Sequence, residues 1–397
     1  MPEFPDRTHA LVLAGGAAYA AYEVGVVKAL VNGMSQSTDR QPLVPRVVAG
    51  SSGGAFNAAL LVSAAARGAA AAVDHLERTW LDDVADTAES CGNGVFRFRL
   101  DPLSLVDPAC LRTAPLPFTR FVQDSISLSA DLFRRGTRLF TSDSSLEQRF
   151  MELVDLETFV SIDPFRRVIL GAITPASIRS SDWALQIATI NWKTGALRMF
   201  ENADFVNDDS VGIIQAATAV PGLFPSVDLD GEPYADASFV LDAPLKPAID
   251  AGADVLHVVY FNPDVERLPL PRVRNTVSTL NRSVLITLAA MINRDIEIAS
   301  RINLALVALR RASGPVSARE SSAINLETGS RESHEERGEE PAPHRFVEIH
   351  RYHAREPFGQ TFKWLSFGRD HLEALIAQGV DDTQQHDCTA NRCILNN

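Results

Sequence analysis

Two short apolar runs near the start of the chain each pass through glycines straight into a helical pattern, and this constrains the fold more than any other feature. Leu11-Val12-Leu13 leads through Gly15-Gly16 into a helical pattern over Ala21–Leu30, and Val47-Val48-Ala49 leads through Gly50–Gly54 into an alanine-rich helix over Ala55–Ala66. Strand, tight turn and helix, used twice in succession, is the rhythm of an α/β fold with a mostly parallel sheet. At 397 residues, 46% hydrophobic and 22% charged, the chain can build one large α/β core or two smaller ones. The net charge of −13 removes the basic footprint that phosphate binding needs, so nucleic acid is not an expected partner.

Further along, Arg167–Ile173 reads as another core strand, and Leu185–Asn191 with Ala196–Phe200 as a hairpin across Trp192–Gly195. A helix is expected over Ser210–Thr218, halted before Pro221. Asp230-Gly231 marks a two-residue hairpin between Val227–Leu229 and Glu232–Tyr234. A helix over Leu245–Ala251 and a strand over Val255–Phe261 follow. The apolar residues Leu280, Val284, Leu288, Ile292, Ile296 and Ala299 then recur at helical spacing, predicting a long amphipathic helix over Thr276–Arg311. Phe346–Ile349 reads as a strand and Arg369–Gln378 as a helix stopped by Gly379. The domain expectation is one α/β unit over 8–312, with an irregular, cap-forming segment at 91–150. A charged, aromatic-free insertion at 313–343 reads as disordered. A strand and helix at 344–380 pack on the same domain, and 381–397 is a tail.

Three segments carry chemistry. Gly50-Ser51-Ser52-Gly53-Gly54 is a G-x-S-x-G placed after a strand and before a helix. There a serine hydroxyl stands clear of the sheet, and the helix N-terminus offers free N–H groups to an oxyanion. An ordinary βα turn or a phosphate loop would account for the same pentapeptide. Gly15-Gly16-Ala17 lacks both the dinucleotide and the P-loop spacing, which leaves an oxyanion nest or a close-packed turn. Asp236, in Tyr234–Ser238, stands at a strand end as a general-base candidate or as a solvated loop acid.

Together these stretches resemble the patatin-like phospholipase family. Its glycine-rich oxyanion segment is similar to LVLAGGAAYAAYEVGV at Leu11–Val26, its G-x-S-x-G to Gly50–Gly54, and its D-G-[GA] to Asp236-Ala237-Ser238. AATAVPGLFPSV at Ala216–Val227 and PLKPAIDAGAD at Pro244–Asp254 add to the likeness, which covers about Ala10 to Phe261. The resemblance implies a three-layer α/β fold whose mostly parallel central sheet is flanked by helices. It also implies a histidine-free dyad, with Ser52 as nucleophile and Asp236 as proton acceptor. Gly15, Gly16, Ala17 and Gly53 would form the oxyanion hole, and Gly50 and Gly54 the turn around the nucleophile. The implied activity is hydrolysis of fatty-acyl esters of phospholipids or related lipids at a membrane or micelle surface. The chain departs from the family at Ala17, Tyr19 and Ala20, where a third glycine, a basic residue and a glycine are usual, and at Ala237. Ala17 tolerates the loop with negative φ and is strained with positive φ. Two other readings stay open: a small-ester or thioester hydrolase, and a catalytically degenerate lipid-binding or scaffold protein.

Among nine histidines, His257 lies within an apolar strand, where a satisfied core residue is expected rather than a base. His386, Cys388 and Cys393 offer three metal-ligand types without a paired C-x-x-C, so neither metal nor cofactor is expected. No apolar run approaches the length of a transmembrane helix and no secretory leader is apparent. The expectation is a cytoplasmic protein, peripheral at membranes.

Overall fold

The computed structural model describes residues 7–86, 93–98, 124, 160–261, 266, 276–312, 345–356, 358 and 363–395. The 313–343 insertion and most of the 91–150 segment lie outside the described residues.

The first strand, β1 (His9–Leu13), passes through a 3₁₀ turn at Ala17–Tyr19 into α1 (Ala20–Val31). The second unit is β2 (Val47–Gly50) and α2 (Gly53–Ala64), followed by α3 (Ala69–Arg78). A small ribbon, β3 (Arg97–Phe98) with β4 (Val160–Ser161), precedes α4 (Asp163–Ala172) and α5 (Pro175–Arg179). Then come β5 (Ala184–Asn191), β6 (Leu197–Glu201), α6 (Gly212–Ala217), β7 (Val227–Leu229), β8 (Glu232–Asp236), α7 (Leu245–Asp250) and β9 (Val255–Tyr260). The long helix α8 (Thr276–Ala312), β10 (Glu348–His353) and α9 (Arg369–Gln384) complete the described elements.

The main sheet runs β10-β9-β1-β2-β5-β8-β7, with β6 also on β5. From β10 to β5 every pairing is parallel; β6, β7 and β8 join antiparallel. Strands buried on both faces read as continuous apolar runs rather than alternating ones. The wholly buried β2 and β9, and β1 from Ala10 to Leu13, follow this pattern, with helices flanking the sheet. Helix α1 is apolar almost all round because it too is enclosed. Its Lys28 alone is not buried, and it pairs with Glu77 at 2.7 Å.

The β7–β8 hairpin turns through Asp230 (φ 55°) and Gly231 (φ 85°), as the Asp-Gly pair predicts. Helix α8 presents Ala289, Ile292, Ile296 and Ala299 to the interior at three- and four-residue spacing. Three expectations are corrected. Arg167–Ile173 belongs to α4 and its end: Pro164 opens that helix, and Phe165 and Ile169, one turn apart, face the core while Arg166 and Arg167 stay outside. Gly379 does not stop α9, which continues to Gln384. It lets α9 lie directly on α1, since a Cβ at Gly379 would fall 2.2 Å from the Tyr22 carbonyl oxygen and one at Gly25 would fall 2.0 Å from that of Ile376. The strand expected over Phe346–Ile349 begins two residues later, at Glu348.

Candidate active site

The turn between β2 and α2 is held by the Ser51 N–H, which donates to the Leu13 carbonyl at 3.1 Å. Ser52 takes φ 52° and ψ −126°, a conformation that non-glycine residues adopt only when their surroundings impose it. The flanking glycines impose it by close approach. A Cβ on Gly50 would meet the Gly54 oxygen at 2.3 Å, and one on Gly54 would meet the Leu13 oxygen at 2.3 Å. Ser52 is thereby held at the mouth of α2, whose first N–H groups, Gly53 among them, have no intrahelical acceptor. A strained strand-to-helix turn of this kind is the geometry that can present a serine as a nucleophile.

Asp236 ends β8, whose register places it opposite Thr189 of β5. It is 2% exposed. One carboxylate oxygen, Oδ1, accepts the Ser238 N–H at 2.8 Å and the Ser238 hydroxyl at 2.6 Å. Ser238 Oγ in turn lies 3.3 Å from Ser51 Oγ, so the residue beside Ser52 is tied to the carboxylate through one hydroxyl. The other oxygen, Oδ2, is buried without a hydrogen-bond partner. Burial pushes the Asp236 carboxyl up, and the Ser238 and Ser52 hydroxyls and the Ser238 N–H pull it back. Ser52 is thus close enough to bias the carboxyl although no well-formed bond joins the two, a common state of catalytic pairs before substrate arrives.

The glycine segment closes the other side. Ala17 has φ 47°, so the strain attached to a positive angle is present. A Cβ on Gly53 would lie 3.3 Å from the Ala17 nitrogen, which brings the two candidate oxyanion donors side by side. The Gly15 N–H points elsewhere: it is shared between Oδ1 of Asp242, at 3.2 Å, and the backbone oxygen of the same residue, at 3.3 Å. Tyr19, where the family usually has a basic residue, packs its ring 4.8 Å from Phe358.

Behind this loop lies a buried polar chain that sequence reasoning missed. Glu23 is fully buried. Its Oε2 accepts from Asn57 Nδ2 at 2.8 Å, Asn57 Oδ1 accepts from Trp80 Nε1 at 2.6 Å, and Glu23 Oε1 has no partner. Burial drives Glu23 and Asp242 well above the carboxylate range. The signal for Glu23 in the sequence was one acid inside an otherwise apolar helix.

Ser52, Ala17 and Gly53 open on a cleft whose walls include Phe56, Trp80 and Phe224. His257 is bonded elsewhere, to His9 (Nε2 to Nδ1, 3.1 Å) and to the Tyr352 hydroxyl (3.2 Å), and burial lowers its pKa well below the usual value.

The sequence matches the family description "Patatin-like phospholipase" over residues 11–249. No curated protein matches it. Among solved structures, VipD from Legionella pneumophila is similar at 14% identity and a TM-score of 0.37, over 96% of this chain and 66% of VipD. The chain therefore spans just under two thirds of that relative's length.

Proposed function

Because the chain belongs to the patatin-like phospholipase family, we propose that it hydrolyses fatty-acyl esters of phospholipids or related lipids with a Ser52–Asp236 dyad. The observation that carries the reading is the closeness of a strained, buried serine on a strand-to-helix turn to a buried carboxylate oxygen that has no hydrogen-bond partner. Asp236 Oδ2 accepts the Ser52 proton as Oγ attacks the acyl carbonyl. The oxyanion forms against the N–H groups of Gly16, Ala17 and Gly53, while Gly15, its N–H committed to Asp242, fixes the loop. The alcohol leaves with that proton. Asp236 then takes a proton from water as its oxygen attacks the acyl-Ser52 carbonyl, and returns that proton to Ser52 Oγ as the fatty acid is released.

The apolar walls of the cleft support a long acyl chain as the substrate's anchor. Phe239 and Val240, exposed immediately after the Asp236 turn, support work at a membrane or micelle surface. No helix among the described residues is long and apolar enough to cross a membrane. A cytoplasmic setting belongs to the same proposal, supported by the unpaired thiols of Cys388 and Cys393.

A series of nitrophenyl esters tests the substrate class. Wild-type kcat/KM should rise from acetyl to long acyl chains, and Ser52→Ala should lose the activity at every length. A rate highest on acetyl ester would favour a small-ester hydrolase.

A further inference from the structure

Four metal-ligand side chains meet where the end of the chain returns to the sheet. His350 lies on β10; His386 follows α9; Cys388 and Cys393 lie in the segment beyond. Their ligand atoms all lie within 4.8 Å of one another, and both histidines are buried. Cys388 Sγ is 3.5 Å from His350 Nδ1 and 3.5 Å from His386 Nε2, and Cys393 Sγ is 3.4 Å from His386 Nε2. Zinc bonds of about 2.3 Å to sulfur and 2.0–2.1 Å to nitrogen, at tetrahedral angles, set sulfur and nitrogen about 3.5 Å apart. The three sulfur–nitrogen distances match edges of such a tetrahedron, and the remaining edges are no longer than 4.8 Å.

The cradle is built from more than its ligands. Ile349 and Ile394 exchange both backbone hydrogen bonds, at 2.8 and 2.9 Å, which zips the tail onto β10. The Arg351 N–H donates to Cys393 Sγ at 3.4 Å, a contact that favours thiolate. Asp387 Oδ1 accepts from the N–H groups of Thr389 and Ala390, shaping the turn between the cysteines. Asn391 Nδ2 donates to the Arg351 carbonyl at 2.9 Å and lies 2.9 Å from His386 Nδ1, while the ring's Nε2 faces both sulfurs.

We propose that His350, His386, Cys388 and Cys393 bind one Zn²⁺ ion that clips the C-terminal segment to the sheet. Two thiol protons are released on binding, and the resulting two-thiolate, two-imidazole site is neutral. Four protein ligands leave no open position, so the ion is structural; none of the four lines the cleft at Ser52. Sequence reading stopped at three ligands, because His350 reaches the site only through the β10 pairing.

The test uses the full chain, purified without a metal column. Elemental analysis should find one zinc per chain, and Co²⁺ replacement should give the visible bands of a tetrahedral thiolate site. Cys388→Ser, in a surface loop that leaves the sheet intact, should weaken Co²⁺ binding by more than the roughly 10–100-fold typical of losing an outer-shell partner. Its Tm should be lower than that of the wild type and insensitive to chelator. Wild-type protein that takes up neither Zn²⁺ nor Co²⁺ overturns the proposal. So does a Cys388–Cys393 disulfide found by mass, or Cys388→Ser binding Co²⁺ with wild-type affinity and spectrum.

Discussion

The Gly15 N–H donates to the Asp242 carboxyl at 3.2 Å, and a Cβ on Gly15 would sit 3.0 Å from that same oxygen and 2.4 Å from Ser238 Oγ. The oxyanion segment, the second buried acid and the hydroxyl that holds Asp236 therefore meet around one glycine. Asp242 stays protonated well above the ordinary carboxylate range, so an amide replaces it with little electrostatic change. Asp242→Asn should keep activity within about threefold, whereas Asp242→Ala should destabilise by about 1–3 kcal/mol through the lost acceptor. Urea unfolding beside ester hydrolysis distinguishes the two.

The pH dependence follows from the sign of the Asp236 shift. Burial raises its pKa, and only the ionised form accepts the Ser52 proton, so kcat/KM should fall as pH drops through a value above the usual Asp range. Ser238→Ala removes a donor to the ionised carboxylate and should move this acid limb to higher pH, with a rate loss of about tenfold. A limb unmoved in the variant would place the titration on another group.

Stability should respond to the same acids in the opposite sense. Glu23, Asp236 and Asp242 have folded-state pKa values raised above their unfolded ones. Between those values the folded state holds more protons, so stability is greatest below the unfolded pKa and declines as pH rises through the folded one. Glu23→Gln should then raise Tm at neutral pH and flatten its fall with pH. Calorimetry across pH 5–8 reads this directly.

Gly379→Ala should destabilise by roughly 1–3 kcal/mol despite the better helix propensity of alanine, because the new Cβ would press on the Tyr22 carbonyl. A stabilised Gly379→Ala protein would mean that α1 and α9 can separate without cost.

These glycines also mark what could be read in the sequence. The βα turns at Gly15-Gly16 and Gly50–Gly54, the Asp-Gly hairpin and the α8 stripe are local patterns, and each was legible because neighbouring residues alone determine it. Gly379 was misread because a helix stop and a helix contact leave the same residue near a helix end; only the partner helix tells them apart. Arg167–Ile173 looked like a strand because its aliphatic run hid the one-turn spacing of Phe165 and Ile169. Ser52 and Asp236 stood out by motif. Ser238, Asp242 and Glu23 did not, since their roles depend on contacts that cross the fold.

Ala17, at φ 47°, tests whether the divergent loop limits the rate. Proline is not a useful probe there, because its ring fixes φ near −65° and would rebuild the loop as well as delete a donor. Ala17→Gly should relieve strain of about 1–2 kcal/mol, partly offset by glycine's freedom in the unfolded chain, and raise kcat by up to about tenfold. Ala17→Val, with a β-branched side chain at positive φ, should lose both stability and rate. An inert wild type activated by Ala17→Gly would favour the degenerate-site reading.

The dyad itself is tested most directly by covalent labelling. A fluorophosphonate should add once to the wild-type chain, and peptide mapping should place the adduct on Ser52. Labelling should be absent in Ser52→Ala and strongly slowed in Asp236→Asn, with both variants folded by circular dichroism. An adduct on any other residue, or equal labelling of Ser52→Ala, would contradict the assignment of Ser52 as the nucleophile.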